Sequence, residues 1–408
     1  MRGSGKRRVR IIAAAVVFAG MAVASPALAA TQAPAACGAT VAGGTLTDVA
    51  ASSASNAWAV GYYPASPPAL PMTDDQTLIE HWDGTAWCTV PSPDPGGATR
   101  ENQLLGVAAI SPSNAWAVGY YTNASNVLKT LTMHWNGSSW KQVASPDPAA
   151  PGMGNQLNDV VIRSATNAWA VGTYTNASHV ARSLVLHWNG ATWQVMPSPN
   201  HTTNTELTGV VAASATNLWV TGYYDTSTFH AQTLISHWNG RAWTVTASPN
   251  PAGTSNANFL VSVAVTAPYT ALAVGHFFNT TSAMTFSAND DGTRWRTVAT
   301  PNPAGTSNAD NILGDVAASS SVNAWTVGEY RPITGVYQAL ILHWSGTAWT
   351  QVASPDVTGQ HNILNAVAAT SVSSAWAVGG LVSPQTGLNL QTLILHWDGQ
   401  SWTQAPSP

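Results

Sequence analysis

The segment Leu104–Pro148, LLGVAAISPSNAWAVGYYTNASNVLKTLTMHWNGSSWKQVASPDP, contains four short phrases that recur seven times in the same order. The phrases are L-x-x-V-A-A, N-A-W-A-V-G, T-L-x-x-H-W with a Gly two residues later, and W-x-x-V-x-S-P. A fixed pitch of about fifty residues is the signature of a stacked or circular repeat architecture. The sequence therefore predicts a fold built from seven similar units.

Each phrase has the character of a β-strand. Side chains alternate along a strand, so Trp58 and Val60 fall on one face of the second phrase and the alanines on the other. Asx-Gly pairs between apolar runs predict hairpin turns, and Pro after Ser ends the fourth strand because proline cannot donate to a ladder. Four strands in each of seven copies predict an all-β, seven-bladed β-propeller of four-stranded antiparallel blades, whose radial closure protects the sheet edges. The predicted propeller spans residues 45–408, with blades at 46–95, 104–148, 157–200, 207–251, 260–303, 313–356 and 364–408.

The first 29 residues have the pattern of a secretory signal peptide. Basic residues precede an apolar run that ends at Ala27-Leu28-Ala29, which predicts cleavage before Ala30. The alternative is a retained anchor, but the run is shorter than the ~20 residues that span a bilayer. Residues 30–44 form an N-terminal segment outside the repeats. We expect a secreted, extracellular, monomeric protein with no membrane attachment after cleavage.

The composition narrows the choice of partner. Charged residues make up 8% of the chain and no basic patch appears, so nucleic acid is not an expected partner. The chain has 19 Trp, three in each of six blades and one in blade five, which indicates that they are packing residues. A histidine precedes the third-strand Trp in six blades; one per blade is too dispersed to bind one ion, so each is expected to be hydrogen-bonded within its blade. These histidines are His81, His134, His187, His237, His343 and His396.

The turn between the third and fourth strands resembles a known motif. The segment Ser236–Trp243, SHWNGRAW, is similar to the Asp-box of sialidase-type (BNR) repeats, with Trp at the Asp position in six blades and Asp290 there in blade five. The longer pattern L-x-x-V … W-A-V-G … L … G-x-x-W resembles the repeats of photosystem stability and assembly factors. The resemblance covers residues 46–408 and implies a propeller, a fold that serves hydrolases, lectin-like binders and assembly factors alike.

Positions at which the copies differ are the candidates for function. The residue after the second-strand Gly varies, and its aromatic or carboxyl side chains would line one rim and suit sugar or peptide ligands. The alternative is that these side chains are solvent-facing residues at the base of a loop. The candidate ligand-binding residues are Tyr62, Tyr120, Tyr223, His276 and Glu329.

A second variable position precedes the first-strand Val, on the innermost strand. Asp48, Asp159 and Asp315 occupy it in three blades, where they are weak candidates for a cation site reached through water. The alternative is that these carboxylates cap backbone N–H groups.

Together these patterns predict a secreted, non-enzymatic binding or interaction module. It has no catalytic residue and no cofactor, and an extracellular carbohydrate or protein meets the face that carries the long loops at 62–76, 120–129 and 223–232. One alternative is a secreted carbohydrate-active hydrolase or lyase, which needs clustered acidic and basic groups with perturbed pKa values. The other is a structural cell-surface or assembly factor.

The two cysteines, Cys37 and Cys88, predict a disulfide in an exported chain; the alternative is two free buried thiols. Closing a loop of about fifty residues should stabilise the fold by roughly 4 kcal/mol, so Cys37→Ser should lower the free energy of unfolding by that amount in denaturant titrations. Peptide mapping by mass spectrometry without reductant should recover the linked pair. Two unlinked thiols, or a variant as stable as the wild type, would contradict the prediction.

Overall fold

A computed structural model of the protein describes residues 41, 43–65, 74–267, 270–332 and 335–408. The predicted signal peptide and Cys37 lie outside this part of the chain, so the leader and the disulfide stay predictions. Within it the regular structure consists of 28 β-strands, in seven units of four consecutive strands. No helix in these ranges has the length and apolarity that a membrane crossing requires. The all-β propeller is thereby confirmed.

The strands of the first four units have the following bounds. Unit one contains β1 (Thr45–Ser53), β2 (Asn56–Pro64), β3 (Asp75–Trp82) and β4 (Trp87–Thr89). Unit two contains β5 (Asn102–Ser111), β6 (Asn114–Thr122), β7 (Leu128–Trp135) and β8 (Trp140–Val143). Unit three contains β9 (Asn155–Ser164), β10 (Asn167–Thr175), β11 (Ala181–Trp188) and β12 (Trp193–Val195). Unit four contains β13 (Thr205–Ser214), β14 (Asn217–Asp225), β15 (Ala231–Trp238) and β16 (Trp243–Thr246).

The remaining three units follow the same pattern. Unit five contains β17 (Asn258–Ala267), β18 (Thr270–Phe278), β19 (Ala283–Asp290) and β20 (Trp295–Val298). Unit six contains β21 (Asp310–Ser320), β22 (Asn323–Arg331), β23 (Gln338–Trp344) and β24 (Trp349–Val352). Unit seven contains β25 (His361–Ser371), β26 (Ser374–Val382), β27 (Asn389–Trp397) and β28 (Trp402–Ala405).

The units close into a ring through their first strands. Within each unit the four strands pair antiparallel in chain order, and units five and six are also joined by a parallel pair between Ala283 and Asp310. Each first strand contacts the first strand of the next unit, and β25 contacts β1. Units one and seven are both built from consecutive strands, so the ring closes without strand exchange.

Tryptophan side chains form the contacts between units. The second-strand Trp116 of unit two lies against Trp188 and Trp193 of unit three, with ring centroids 4.9 and 5.0 Å away and an edge-on angle of 81° to Trp193. Edge-to-face aromatic pairs contribute about 0.5–1.5 kcal/mol beyond their burial. The same three-ring contact occurs where unit seven meets unit one, at Trp376, Trp82 and Trp87.

Unit five interrupts the tryptophan pattern on both of its sides. Asp290 replaces the third-strand Trp, so Trp219 of unit four contacts only the fourth-strand Trp295, at 5.5 Å. Leu272 replaces the second-strand Trp and packs in one cluster with Trp349 of unit six. The Trp349 indole N–H donates to the Ser287 hydroxyl of unit five at 2.9 Å. This hydrogen bond links two units that lack the full aromatic contact.

The repeated histidines are structural, as the sequence predicts. His81 Nε2 is hydrogen-bonded to Asn56 Oδ1 at 2.8 Å, and its ring lies 4.1 Å from that of Trp58 in the same unit. Burial lowers the pKa of His81 to about 4, so the ring is neutral near pH 7. Each of the other five rings lies against the second-strand Trp of its own unit, at His134, His187, His237, His343 and His396.

The Ser-Pro-Asx phrase, which is Thr-Pro-Asn in unit five, anchors the end of units one to six to the third strand. The Ser92 and Thr77 hydroxyl oxygens are 2.7 Å apart, and Asp94 Oδ1 accepts the Thr77 N–H at 2.8 Å. Asn250 makes the same bond to the Thr233 N–H in unit four. The proline of this phrase ends the fourth strand, as predicted, and the flanking Ser and Asx, for which the sequence predicts no role, make the hydrogen bonds.

Removing one tryptophan should show how strongly the units depend on these contacts. Trp116→Ala should lower the free energy of unfolding by about 3–5 kcal/mol, because it empties a fully enclosed site between two units. Val245→Ala, at a side chain 58% exposed on an outer strand, should stay within about 0.5 kcal/mol of wild type. Denaturant titration compares the two variants; equal losses would contradict the assignment.

Candidate functional site

The long loops and the connections between units share one face of the ring, as the sequence predicts. The Thr122 N–H at the end of β6 donates to the Glu101 carbonyl, which precedes β5, at 2.9 Å. In unit four the Asp225 N–H donates to the Asn204 carbonyl at 3.0 Å in the same way. We call this the long-loop face. The turns between first and second strands lie at the opposite face.

The predicted ligand-binding residues occupy one level of this face. Each lies opposite the start of the first strand of its own unit, at the mouth of the central channel. The pairs are Tyr62–Thr45, Tyr120–Gln103, Tyr223–Glu206, His276–Phe259 and Glu329–Ile312. The five side chains are only partly exposed, and the structure divides them into three groups rather than one pocket.

The first group joins units one and two by hydrogen bonds. The Tyr120 hydroxyl donates to Gln103 Oε1 at 2.7 Å, and Gln103 Nε2 donates to Asp75 Oδ2 at 2.6 Å. Asp75 is buried, and its charge is a secondary cause of the raised pKa of Tyr62, after burial. Burial, with nearby carboxylates, also raises the pKa of Tyr120, so both phenols stay protonated.

The second group is an aromatic shelf formed by Tyr223, Phe259, His276 and Phe278. Successive ring centroids are 4.9, 5.3 and 5.6 Å apart along the shelf. The Tyr223 hydroxyl donates to Glu206 Oε2 at 2.8 Å, which places a carboxylate at one end. Burial lowers the pKa of His276 to about 4, so its ring is neutral near pH 7. The shelf spans units four and five on the long-loop face.

Two exposed phenylalanines belong to the same region. Phe278, at the outer end of the shelf, is 39% exposed, and Phe229 at the tip of the β14–β15 loop is 84% exposed. Among the described residues, seven large apolar side chains are exposed, and these two are the aromatic ones. Phe229 has φ of 60°, a left-handed conformation that bulky residues rarely adopt. The chain thus holds an exposed ring on this face at a conformational cost.

The third group contains acidic and basic side chains at the junction of units six and seven. Asp310 Oδ2 accepts hydrogen bonds from Arg331 Nη2 at 2.7 Å and from the Tyr337 hydroxyl at 3.1 Å. The Tyr337 backbone N–H donates to His361 Nδ1 at 2.9 Å. Burial, reinforced by the charge of Asp310, raises the pKa of Glu329 to about 7. A carboxyl group that exchanges its proton near neutral pH therefore lies beside a carboxylate–guanidinium pair.

The three channel aspartates connect neighbouring units through backbone hydrogen bonds. Asp48 accepts the Val49 N–H of its own strand at 2.7 Å and the Val107 N–H of unit two at 2.6 Å. Asp159 bonds the Val160 and Val210 N–H groups in the same manner. Asp315 accepts the Val367 N–H of unit seven at 2.8 Å. This is the backbone-capping arrangement that the sequence analysis gave as the alternative to a cation site.

A β-bulge and small neighbouring residues make this arrangement fit. Register shifts interrupt every first strand next to the aspartate position, which leaves backbone groups without ladder partners there. Gly106 takes that position in unit two, where a Cβ would lie 2.8 Å from the Asp159 Cα of unit three. Gly209 and Ala366 take it in units four and seven. Each unit whose valine N–H donates to an aspartate of a neighbouring unit therefore carries Gly or Ala at its own aspartate position.

The aspartates surround a channel cavity of about 90 Å³. In the described ranges, no group of three or more His, Cys, Asp or Glu side chains is arranged to hold a metal ion. Burial raises the pKa of Asp159 to about 7, and burial followed by the charges of Asp315 and Asp159 raises that of Asp48 well above its ordinary value.

Comparison with known proteins supports the fold and leaves the site open. No family model matches the chain, and no curated protein matches it. Among solved structures, an ulvan lyase of a polysaccharide lyase family is similar with a TM-score of 0.57 and 10% identity, over 92% of this chain and 94% of that one. A xyloglucanase from Xanthomonas campestris is similar with a TM-score of 0.55 and 13% identity, over 90% of this chain and 55% of that one. The β-propeller domain of the Trilobed protease from Pyrococcus furiosus is similar with a TM-score of 0.50 and 10% identity, over 89% of this chain and 97% of that one. The class of the protein is therefore a β-propeller.

The candidate residues predicted from the sequence include one or two members of each group but not the residues that contact them. Phe259 stands where units two and three carry glutamine, and Phe278 where they carry threonine, so comparing the copies at those positions would have revealed the shelf. In unit six, Arg331 occupies the position that Phe278 has in unit five. Tyr337 aligns with Asp75, Leu128 and Ala181 of other units, a position at which the copies differ, so comparing the copies there would have revealed it too.

The buried carboxyl of Asp159 should make part of the stability depend on pH. Its pKa of about 7 lies above the ~3.9 of an unfolded aspartate, so the folded state binds the extra proton between these values and loses that advantage as pH rises. The free energy of unfolding of the wild type minus that of Asp159→Asn should therefore fall as pH rises from 4 to 7, by up to about 1.4 kcal/mol per pH unit. Histidine contributions cancel in this difference. Urea titrations across the range measure it; a constant difference would contradict the assignment.

Proposed function

We propose that the protein is a secreted, non-enzymatic binding module whose carbohydrate or protein ligand meets the long-loop face. The observation that carries the proposal is the aromatic shelf, whose outer ring Phe278 is exposed, together with the exposed Phe229 on the same face. Exposed rings offer apolar area at little cost in side-chain entropy, and polar groups beside them orient a ligand. Glu206 supplies such a group at the Tyr223 end of the shelf.

The position of the shelf supports the same proposal. Packing between units requires the buried tryptophans, but it does not require exposed phenylalanines on a loop tip and a strand end. Phe278 packs one side on the shelf and leaves 39% of its surface exposed, and Phe229 is 84% exposed in a turn where units two and three carry Asn126 and His179. Side chains kept in such positions are typical of a contact surface.

A second candidate function is favoured by the group at the junction of units six and seven. A hydrolase or lyase acting on carbohydrate needs an acid and a base of different proton affinity in one place. Glu329 has a raised pKa, and it lies beside Asp310, which Arg331 and Tyr337 contact. The third alternative, a structural cell-surface or assembly factor, differs from the first proposal only in its partner.

The binding proposal is tested with a glycan array and with pull-down from the surface of the secreting cell. Phe229→Ala/Phe278→Ala should lower the binding signal at least about tenfold, because each ring contributes on the order of 1 kcal/mol at an interface. The matched control is Val322→Ala/Val372→Ala, which removes side chains that are 59% and 66% exposed on the turns of the opposite face. The control should bind as the wild type does.

Two outcomes would overturn the binding proposal. One is full binding by the phenylalanine variant. The other is turnover of a polysaccharide, seen as new reducing ends or unsaturated products, that Glu329→Gln abolishes in a folded protein; this result would establish the enzyme alternative instead.

A further inference from the structure

The junction between units seven and one, which closes the ring, differs from the other junctions at the position that follows the second-strand Gly. The residue after the second-strand Gly projects toward the next unit: the Tyr223 ring packs on Phe259 of unit five, 4.9 Å away. The His276 pKa responds to a hydrogen bond with the Leu313 backbone of unit six, which places that ring against the next unit as well. In unit seven the same position is Gly380.

At Gly380 the second strand of unit seven carries no side chain, and Thr45 of unit one lies close to it. A Cβ at this position would lie 3.0 Å from the Thr45 hydroxyl oxygen, so a larger residue would have to displace Thr45 or extend into the space beside it. The φ of Gly380 is not in the left-handed region, so the backbone does not require glycine there. The space forms a pocket of about 340 Å³ at the junction of units seven and one. We call it the closure pocket; its walls include Thr45, Tyr62, Ile363, Asn365, Gly380 and Val382.

The walls of the closure pocket combine apolar surface with neutral hydrogen-bonding groups. Ile363 and Val382 provide apolar contacts on the side of unit seven. Asn365 Nδ2 donates to the Leu46 carbonyl at 2.7 Å, which fixes the amide and directs its Oδ1 away from that bond. In the part of the chain that the structure describes, neither this Oδ1 nor the Tyr62 hydroxyl is engaged in a hydrogen bond. Two polar atoms are thus available beside apolar walls.

The chemistry of the walls identifies the ligand class. Among the described residues that line the pocket none carries a formal charge, so an anionic or cationic ligand would be desolvated without a counter-charge from them. A neutral sugar ring has apolar faces for the aliphatic and tyrosine walls, and hydroxyls that both donate and accept. The volume lies at the lower end of the range for small-molecule sites, which suits one sugar residue.

We infer that the closure pocket binds a neutral monosaccharide unit, with Tyr62 and Asn365 as the hydrogen-bonding residues and Gly380 as the residue that keeps the site open. This inference rests on the proposed binding function and names its ligand class and one location. It places this ligand at a second location, apart from the aromatic shelf of units four and five.

The chain supplies a matched pair of variants for the test. Gly380→Tyr introduces the residue that units one, two and four already carry at this position, and it should fill the pocket. Thr173→Tyr makes the equivalent change in unit three, away from the pocket. Affinity for a panel of neutral methyl hexosides is measured by ligand-observed NMR titration of the purified protein. Wild type and Thr173→Tyr should bind at least one glycoside equally, and Gly380→Tyr should bind it at least about tenfold more weakly.

A second variant covers the case in which Gly380→Tyr does not fold, as judged by near-UV circular dichroism. Tyr62→Phe removes one hydroxyl and keeps the ring, and it should weaken binding roughly fivefold. Unchanged binding by folded Gly380→Tyr, or by Tyr62→Phe, would overturn the inference. Absence of binding to every neutral glycoside would overturn it too, while the array and pull-down with the phenylalanine variants still decide the proposed function.

Discussion

The contact between one unit's second-strand tryptophan and two tryptophans of the next unit is the interaction on which the rest of the structure depends. A four-stranded sheet exposes two faces and cannot bury either of them alone, so each unit is stable only against its neighbours. The tryptophan contact supplies the largest side chains at this interface, and Trp58, Trp116, Trp325 and Trp376 are fully buried there. Because the ring closes at Trp376 without strand exchange, aromatic packing and a few side-chain hydrogen bonds, such as Asn365 Nδ2 to the Leu46 carbonyl and the Ser407 hydroxyl to Glu80, replace the ladder that an exchanged strand would provide.

The channel solves a second problem that ring closure creates. First strands converge at the axis, and bulges there leave backbone N–H groups that water reaches poorly. Three carboxylates satisfy these groups in pairs and connect units at the same time, as at Asp48 and Val107. The cost is three buried acids with raised pKa values, which is tolerated because each receives at least two hydrogen bonds. Rigid walls of this kind hold the long-loop face in place, so its side chains are presented on a fixed frame.

Most of the fold could be predicted from the repeat, and only part of the site. Strand number, order, turns and the role of the histidines follow from local patterns that occur in nearly every copy. The aspartate position was located, but its role depends on which N–H group of the next unit lies opposite, and this is a property of three-dimensional register. Gly380 carries no signal of its own, because its effect depends on how closely Thr45 of the neighbouring unit approaches it. The bond from the Tyr337 N–H to His361 repeats the one from the Ala181 N–H to Asn204, but the residue types at these positions vary between units, so no single copy predicts the contact.

The account therefore rests on a ring closed by aromatic packing between units seven and one. A double-mutant cycle with Trp87→Leu and Trp376→Leu tests this most directly, since the two rings lie 5.1 Å apart in an edge-on arrangement although they belong to opposite ends of the repeat array. Denaturant titrations should give a coupling free energy of about 0.5–1.5 kcal/mol. A parallel cycle with Trp87→Leu and Trp193→Leu, which lie at different junctions, should give a value near zero. Equal, negligible coupling in both cycles would contradict the closed ring.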